Sequence, residues 1–161
     1  MPTIRIITLL LATITMGLTA GAFALYSHTI MPGLRTTDDR TFVASFQAMD
    51  RAIINPWFIG GCFLGALVAT AASAALTFRT AAFGWVVAAL VLYAIAVVLT
   101  VAINVPLNDA LKAAGDPNSI DVAAARAAFK ASVWEMSNHV RTALSLVAFG
   151  LLGWALAVTE R

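Results

Sequence analysis

Residues 6–31, IITLLLATITMGLTAGAFALYSHTIM, contain no Asp, Glu, Lys or Arg. A run of this length exceeds the roughly 20 apolar residues that an α-helix needs to cross a bilayer. It therefore predicts a first transmembrane helix over 6–31. Arg5 ahead of it and the small residues 19–24 also resemble a signal peptide, but with the chain beginning at Met1 an uncleaved span is expected. Gly17 and Gly21 form a GxxxG pair that permits close helix contact. Tyr26 and His28 near its far end suit an interfacial belt.

Outward from this run the pattern repeats. Charge-free segments at 57–78 and 82–105, and an apolar segment at 138–158 whose one formal charge is Arg141, predict three more spans. The whole chain of 161 residues is 61% hydrophobic and 11% charged, with a mean hydropathy of +0.89. These values belong to an integral membrane protein, and the length suits a single transmembrane domain over 1–161. The net charge is +2 and the pI about 9.1, yet the basic residues are scattered without an aromatic-interleaved surface segment, which argues against nucleic acid. Cys62 is the only cysteine, so an intrachain disulfide, a CxxC redox pair and a thiolate metal cluster are excluded. Two histidines are too few for a common closed metal site without carboxylates, so neither metal nor cofactor is expected.

Between the spans lie two long connections. Pro32-Gly33 is expected to end the first helix, and Thr36-Thr37-Asp38-Asp39 has the form of a capping box. In the segment from Thr41 to Ile54, Phe42, Phe46, Met49 and Ile53 recur at helical spacing while Arg40, Gln47, Asp50 and Arg51 lie elsewhere, which predicts an amphipathic helix. Asn55-Pro56-Trp57 then starts the second span. Arg79-Thr80 is so short a turn that spans two and three must be antiparallel neighbours. In Asn104-Val105-Pro106-Leu107-Asn108, Pro106 lacks an amide and leaves the carbonyl of Ala102 without its helical partner. The Asn104 and Asn108 amides are placed either to satisfy such freed groups or to reach a ligand. Gly115-Asp116-Pro117-Asn118 is a turn. From Asp121 an alanine-rich amphipathic helix should reach Ser137 and run unbroken into span four. The two halves share a plan of span, proline, polar loop, amphipathic helix, asparagine and span, which puts both extra helices on one side of the membrane. The fold class expected is thus all-α, an integral membrane four-helix bundle with two additional amphipathic helices in its long loops.

The polar groups concentrate at residues 134–142, WEMSNHVRT. Trp134, Asn138 and Arg141 share one helix face, and Glu135, His139 and Thr142 form a second column about 100° round. Such side chains at the mouth of a span either face the interior or snorkel to headgroups. Spans three and four meet on this side, so Asn104 and Asn108 should converge with Asn138 and Arg141. The predicted pocket is lined by Trp57, Asn104, Asn108, Trp134, Asn138, His139 and Arg141, with Asn55 at its edge.

Met31-Pro32-Gly33-Leu34, Asn55-Pro56-Trp57-Phe58, Asn104-Val105-Pro106-Leu107-Asn108, and Trp134 with Asn138-His139-Val140-Arg141-Thr142, resemble in order and spacing the anthrone oxygenase family of small four-helix membrane proteins. The resemblance covers nearly the whole chain. It implies oxidation of an anthrone methylene to a ketone by O2 without metal or flavin, in a flat apolar pocket furnished with a base and a cation. On that reading His139 is the base and Arg141 the cation, Asn104, Asn108 and Asn138 supply hydrogen bonds, and Trp57 or Trp134 stacks on the ring. His139 and Arg141 lie about 200° apart on a regular helix, however, and if only one column faces inward it should be that of Asn138, Arg141 and Trp134.

The partners expected are a hydrophobic aromatic small molecule, O2 and the lipid bilayer, with self-association open. Two other functions fit the residues: a non-catalytic membrane binding or assembly protein, and a haem protein with His28 and His139 as axial ligands. Arg35, Arg40, Arg51, Lys112, Arg126, Lys130 and Arg141 on the long-loop side outnumber Arg5, Arg79 and Arg161 on the other. That balance makes the long loops cytoplasmic, in a bacterial cytoplasmic membrane, although Arg5 argues the opposite way for the first helix.

Overall fold

The computed structural model describes residues 2–159 and, within them, helices and turns without strands. In chain order they are α1 (Pro2–Leu25), a π-helical segment π1 (Tyr26–Ile30), α2 (Met31–Arg35), α3 (Asp39–Ile53), π2 (Trp57–Leu64), α4 (Gly65–Leu76), α5 (Phe83–Leu99), π3 (Thr100–Asn104), α6 (Val105–Ala113), α7 (Val122–Ala128) and α8 (Ala131–Val158). Four continuous stretches, Thr3–Arg35, Trp57–Leu76, Phe83–Ala113 and Ala131–Val158, are long and apolar enough to cross a membrane. The protein is an integral membrane protein. The long helices pack in a ring, α1 on α4, α4 on α5, α5 on α8 and α8 on α1.

Prolines do not end the first and third spans as expected. A proline inside an α-helix clashes with the carbonyl four residues back and forfeits one hydrogen bond. Here a wider turn precedes each: the Met31 amide donates to Tyr26 O and the Val105 amide to Thr100 O, both five residues back. Pro32 and Pro106 then occupy the second residue of the resumed helices α2 and α6, where a proline is tolerated. Both spans thereby run on to Arg35 and Ala113. Pro32 and Pro106 are equivalent in the two halves, each following a π turn.

At the long-loop end α3 packs on both α6 and α7, so the two amphipathic helices share one side of the molecule. Phe42, Phe46, Phe129 and Trp134 bury their rings against one another there, with centroids 4.5–6.3 Å apart. Arg126 fixes α7 to the start of α3 by donating to Asp39 Oδ1 and Thr37 O, both at 2.9 Å, with its guanidinium over the Phe42 ring. Gln47, buried on α3, donates to Leu111 O and Gly115 O and so satisfies carbonyls at the end of α6. The membrane core below is built from Leu9, Met16, Phe23, Phe63, Val86, Tyr93 and Leu152. Gly17 admits Phe149 of α8 so closely that a Cβ would lie 2.9 Å from its ring. One glycine of the GxxxG pair thus serves packing within the chain, while Gly21 meets nothing.

Two local expectations are corrected. The cap of α3 is Asp38, whose Oδ1 accepts the Thr41 amide at 3.0 Å, and not a box begun at Thr36. The Thr41 hydroxyl and amide hold the Asp38 carboxyl below its usual range. Its contribution is therefore complete above the ordinary carboxylate pKa of about 4 and is lost as pH falls through the depressed value. Thermal melts of wild type and Asp38→Ala should differ at pH 7 and converge in acid.

The second correction concerns the helix expected from Asp121 to Ser137, which is broken. Lys130 adopts φ 51° and ψ 56°, a left-handed conformation that turns the chain between α7 and α8 and drops Phe129 into the aromatic cluster. No glycine or proline marks the break, because burial of Phe129 drives it. A side chain in that conformation costs roughly 1–2 kcal/mol, so Lys130→Gly should raise stability by up to about 1 kcal/mol, measurable as a higher melting temperature.

Candidate functional site

Where the aromatic cluster meets the membrane core there is a cavity of about 200 Å3. Phe23, Tyr26, Phe46, Phe58, Phe63 and Trp134 form its walls, and Asp50, Thr100, Asn108, Lys112 and Arg141 bring polar groups to it. Tyr26 and Trp134 face each other at 5.6 Å between centroids, and Phe46 stands edge-on to Trp134 at 5.5 Å. Isoleucine, leucine and valine side chains complete the apolar lining, and apolar walls that include aromatic faces, with a few directed polar groups, are the usual character of a site for a planar organic ligand.

Arg141 is the dominant charge. It is 5% exposed, and its guanidinium lies 4.3 Å from the Phe23 centroid and 5.6 Å from that of Trp134. Nη1 donates to Thr100 Oγ1 at 3.1 Å and Nη2 to Asn138 Oδ1 at 2.7 Å, while Nε is buried without an acceptor. The ion pairs among the described residues join Arg35 to Glu135, Arg126 to Asp39, and Lys112 to both Asp50 and Asp109; no carboxylate serves Arg141. A buried cation with only neutral partners is costly, and an anionic ligand beside it would relieve that cost.

On the long-loop side a second polar group is assembled from three helices. Trp134 Nε1 donates to Asn108 Oδ1 at 2.7 Å, Asn108 Nδ2 donates to Asp50 Oδ1 at 2.7 Å, and Lys112 Nζ lies 2.7 Å from Asp50 Oδ2. The amide of Asn108 is thus fixed in orientation by one donor and one acceptor. Asp50, 5% exposed, is the one carboxylate of the cavity that is buried.

The predicted site residues divide. Trp134, Asn108 and Arg141 line the cavity. Asn138 stands behind it, donating to Phe23 O at 3.0 Å and Ser27 Oγ at 2.7 Å while its carbonyl orients Arg141. Asn104 is also behind the wall: it donates to Trp134 O at 3.1 Å and accepts from Ser137 Oγ at 2.7 Å, so it serves α8 and not the proline turn. Asn55 caps the second span, accepting the Phe58 amide at 2.9 Å, and does not reach the cavity. Trp57 is 66% exposed on the outer surface, and its neighbour Phe58 takes the inward position expected of it. His139 is exposed, with Nδ1 on Glu135 O of its own helix. The expected base is therefore outside the site. His28 is likewise exposed and bonded to Thr29, so the two histidines do not converge on a haem in the interior.

Asp50, Lys112 and Tyr26 were missed from the sequence. For Asp50 a signal existed: Phe42, Phe46 and Asp50 stand four residues apart on one face of α3. Glu135, on the outer column, is buried by an ion pair in which Arg35 Nε donates to Oε1 at 2.9 Å, tying α2 to α8.

Compared with known protein families, residues 54–151 match the family model described as anthrone oxygenase. The chain belongs to the anthrone oxygenase family. The span common to the family here runs from Ile54 to Leu151 and includes π2, Asn108, Trp134 and Arg141, whereas Tyr26 and Asp50 precede it. No curated protein and no solved structure matches the chain. For this anthrone oxygenase family member, the match includes three of the four motifs, those at Asn55–Phe58, Asn104–Asn108 and Trp134–Thr142, while Met31–Leu34 precedes it.

Proposed function

We propose that the protein oxidises a lipid-soluble hydroxyanthrone, or a hydroquinone-like phenol of similar shape, with molecular oxygen. The observation that carries this reading is Arg141, a buried guanidinium without a carboxylate, set against the aromatic wall of a ligand-sized cavity. Membership of the anthrone oxygenase family supports the reaction class.

In this reading the anthrone lies among Phe23, Phe58 and Trp134 with its oxygen towards Arg141. Asp50 accepts a proton from the acidified CH2, directly or through water, and Arg141 stabilises the enolate oxygen. The carbanion passes one electron to O2, and the radical pair combines to a peroxide at that carbon, which takes up a proton. Removal of the second C–H proton expels hydroxide as the O–O bond breaks, leaving the ketone. The balance is one CH2 group and one O2 giving one C=O and one water, with the electrons supplied by the substrate. Asn108 holds the Asp50 carboxylate, and Thr100 and Asn138 hold Arg141 in place. His139 plays no part. The charge balance favours long loops on the cytoplasmic side of a bacterial membrane.

The test is oxygen uptake by the purified protein in vesicles supplied with a hydroxyanthrone. One O2 consumed per anthraquinone formed, at a rate far above the protein-free reaction, is the expected result. Tight binding of the hydroxyanthrone without catalysed uptake would reject the proposal in favour of a membrane binding protein.

A further inference from the structure

The ring of helices is open on one side at the level of the cavity. α4 packs on α5 in the half remote from the long loops, but nearer the loops π2 stays against α1 and π3 against α8, and the two spans part. The cavity reaches the outer surface in that gap. Its rim is formed by Ile54 at the end of α3, Leu64 from the second span, and Val101 and Val105 from the third, which are 57%, 44%, 61% and 40% exposed. Leu64 and Val101 belong to stretches that cross the membrane, so the lower part of the rim faces hydrocarbon. Lys112 and Asp109 close the loop-side end of the same opening with charge. An opening with apolar lips on the lipid side and a charged lip on the headgroup side is complementary to the membrane–water boundary.

We infer that the cavity is loaded sideways from the bilayer, through the slot between π2 and π3, by a planar aromatic dissolved in the membrane. This rests on reading the cavity as an aromatic-binding site and adds the phase from which its ligand comes. A fused-ring phenol partitions into lipid, where its local concentration far exceeds that in water. Entry through the slot keeps its apolar faces in contact with Val101, Leu64 and then Phe58 and Phe63, with no excursion into solvent.

The experiment follows loading of 1,8-dihydroxyanthraquinone, a planar phenol without an oxidisable CH2, into protein reconstituted in phosphatidylcholine vesicles, read by loss of tryptophan fluorescence. Val101→Trp fills the slot, and Val98→Trp, on α5 away from the cavity, is the control. We expect Val101→Trp to slow association by roughly 10-fold or more while Val98→Trp leaves it unchanged, and the wild-type rate to follow the amount of probe per lipid. Equal rates for Val101→Trp and wild type, or a rate that follows the free aqueous probe, would overturn the inference.

A readout without ligand stands beside it. In a variant with Trp57, Trp85 and Trp154 changed to Phe, the remaining Trp134 should be quenched by lipids brominated on the acyl chains, and Val101→Phe should protect it. Quenching by aqueous acrylamide alone would reject the slot. The two proposals fail separately: probe loading through the slot without oxygen uptake from hydroxyanthrone removes the oxidation, and unimpaired turnover in Val101→Trp removes the slot.

Discussion

Arg141→Lys is expected to lower turnover of a hydroxyanthrone by roughly 100-fold or more while the protein still folds, because a pre-set donor aimed at developing charge contributes about that factor. Lysine keeps the positive charge but cannot hold Thr100 Oγ1 and Asn138 Oδ1 with one planar group while presenting another edge to the ligand. Arg141→Met separates function from structure. A buried cation served only by neutral partners costs stability, so an apolar side chain of similar length should leave the melting temperature unchanged or raise it, although activity disappears. An arginine retained for stability would show the reverse, a large drop in melting temperature with loss of activity in proportion. Unchanged turnover by Arg141→Lys would falsify the assignment of Arg141 to the reacting oxygen.

The second large effect is expected from Asp50→Asn. The substitution preserves shape and an oxygen to accept the Asn108 amide, but it abolishes the proton acceptor and the partner of Lys112. Removal of a general base slows reactions by roughly 100- to 10,000-fold, so turnover should fall within that range while binding of an unreactive anthraquinone changes only a few-fold. A parallel fall in binding and turnover would place Asp50 in ligand affinity instead. His139→Ala is the contrasting case: its side chain is exposed and bonded only to its own helix, so turnover and stability should both stay close to wild type. A severe loss of turnover in that variant would restore the histidine to the site.

Hydropathy determined much of this protein. The four spans are readable because the bilayer demands about 20 apolar residues per helix, and this demand is met by local composition; the helix α3 and the shared side of the loop helices follow from the amphipathic period and the count of spans. The inward column of Trp134, Asn138 and Arg141 was also legible, since α8 is regular from Ala131 to Val158 and the 3.6-residue period holds across it. On the same helix that regularity is why His139 cannot share the cavity with Arg141.

Elsewhere the phase was decided by tertiary structure. A π turn takes up an extra residue and rotates all that follows by about 100°, and three such segments sit where spans one, two and three approach the cavity. Through π2 the inward position passes from Trp57 to Phe58, and the turns before Pro32 and Pro106 carry helices past residues that locally read as stops. Lys130 leaves the helical region without any local signal, because the stabilisation comes from Phe129 entering a cluster built by α3 and α8. The burial of Asp50 has a related cause, although its place on the column of Phe42 and Phe46 was legible. A carboxylate on an amphipathic helix normally belongs to the solvated face, and only the arrival of Asn108 and Lys112 from α6 permits its burial. Composition alone marks which segments lie in the membrane; the meeting of α3 and α6 with Trp134 of α8 selects which of their side chains make the site.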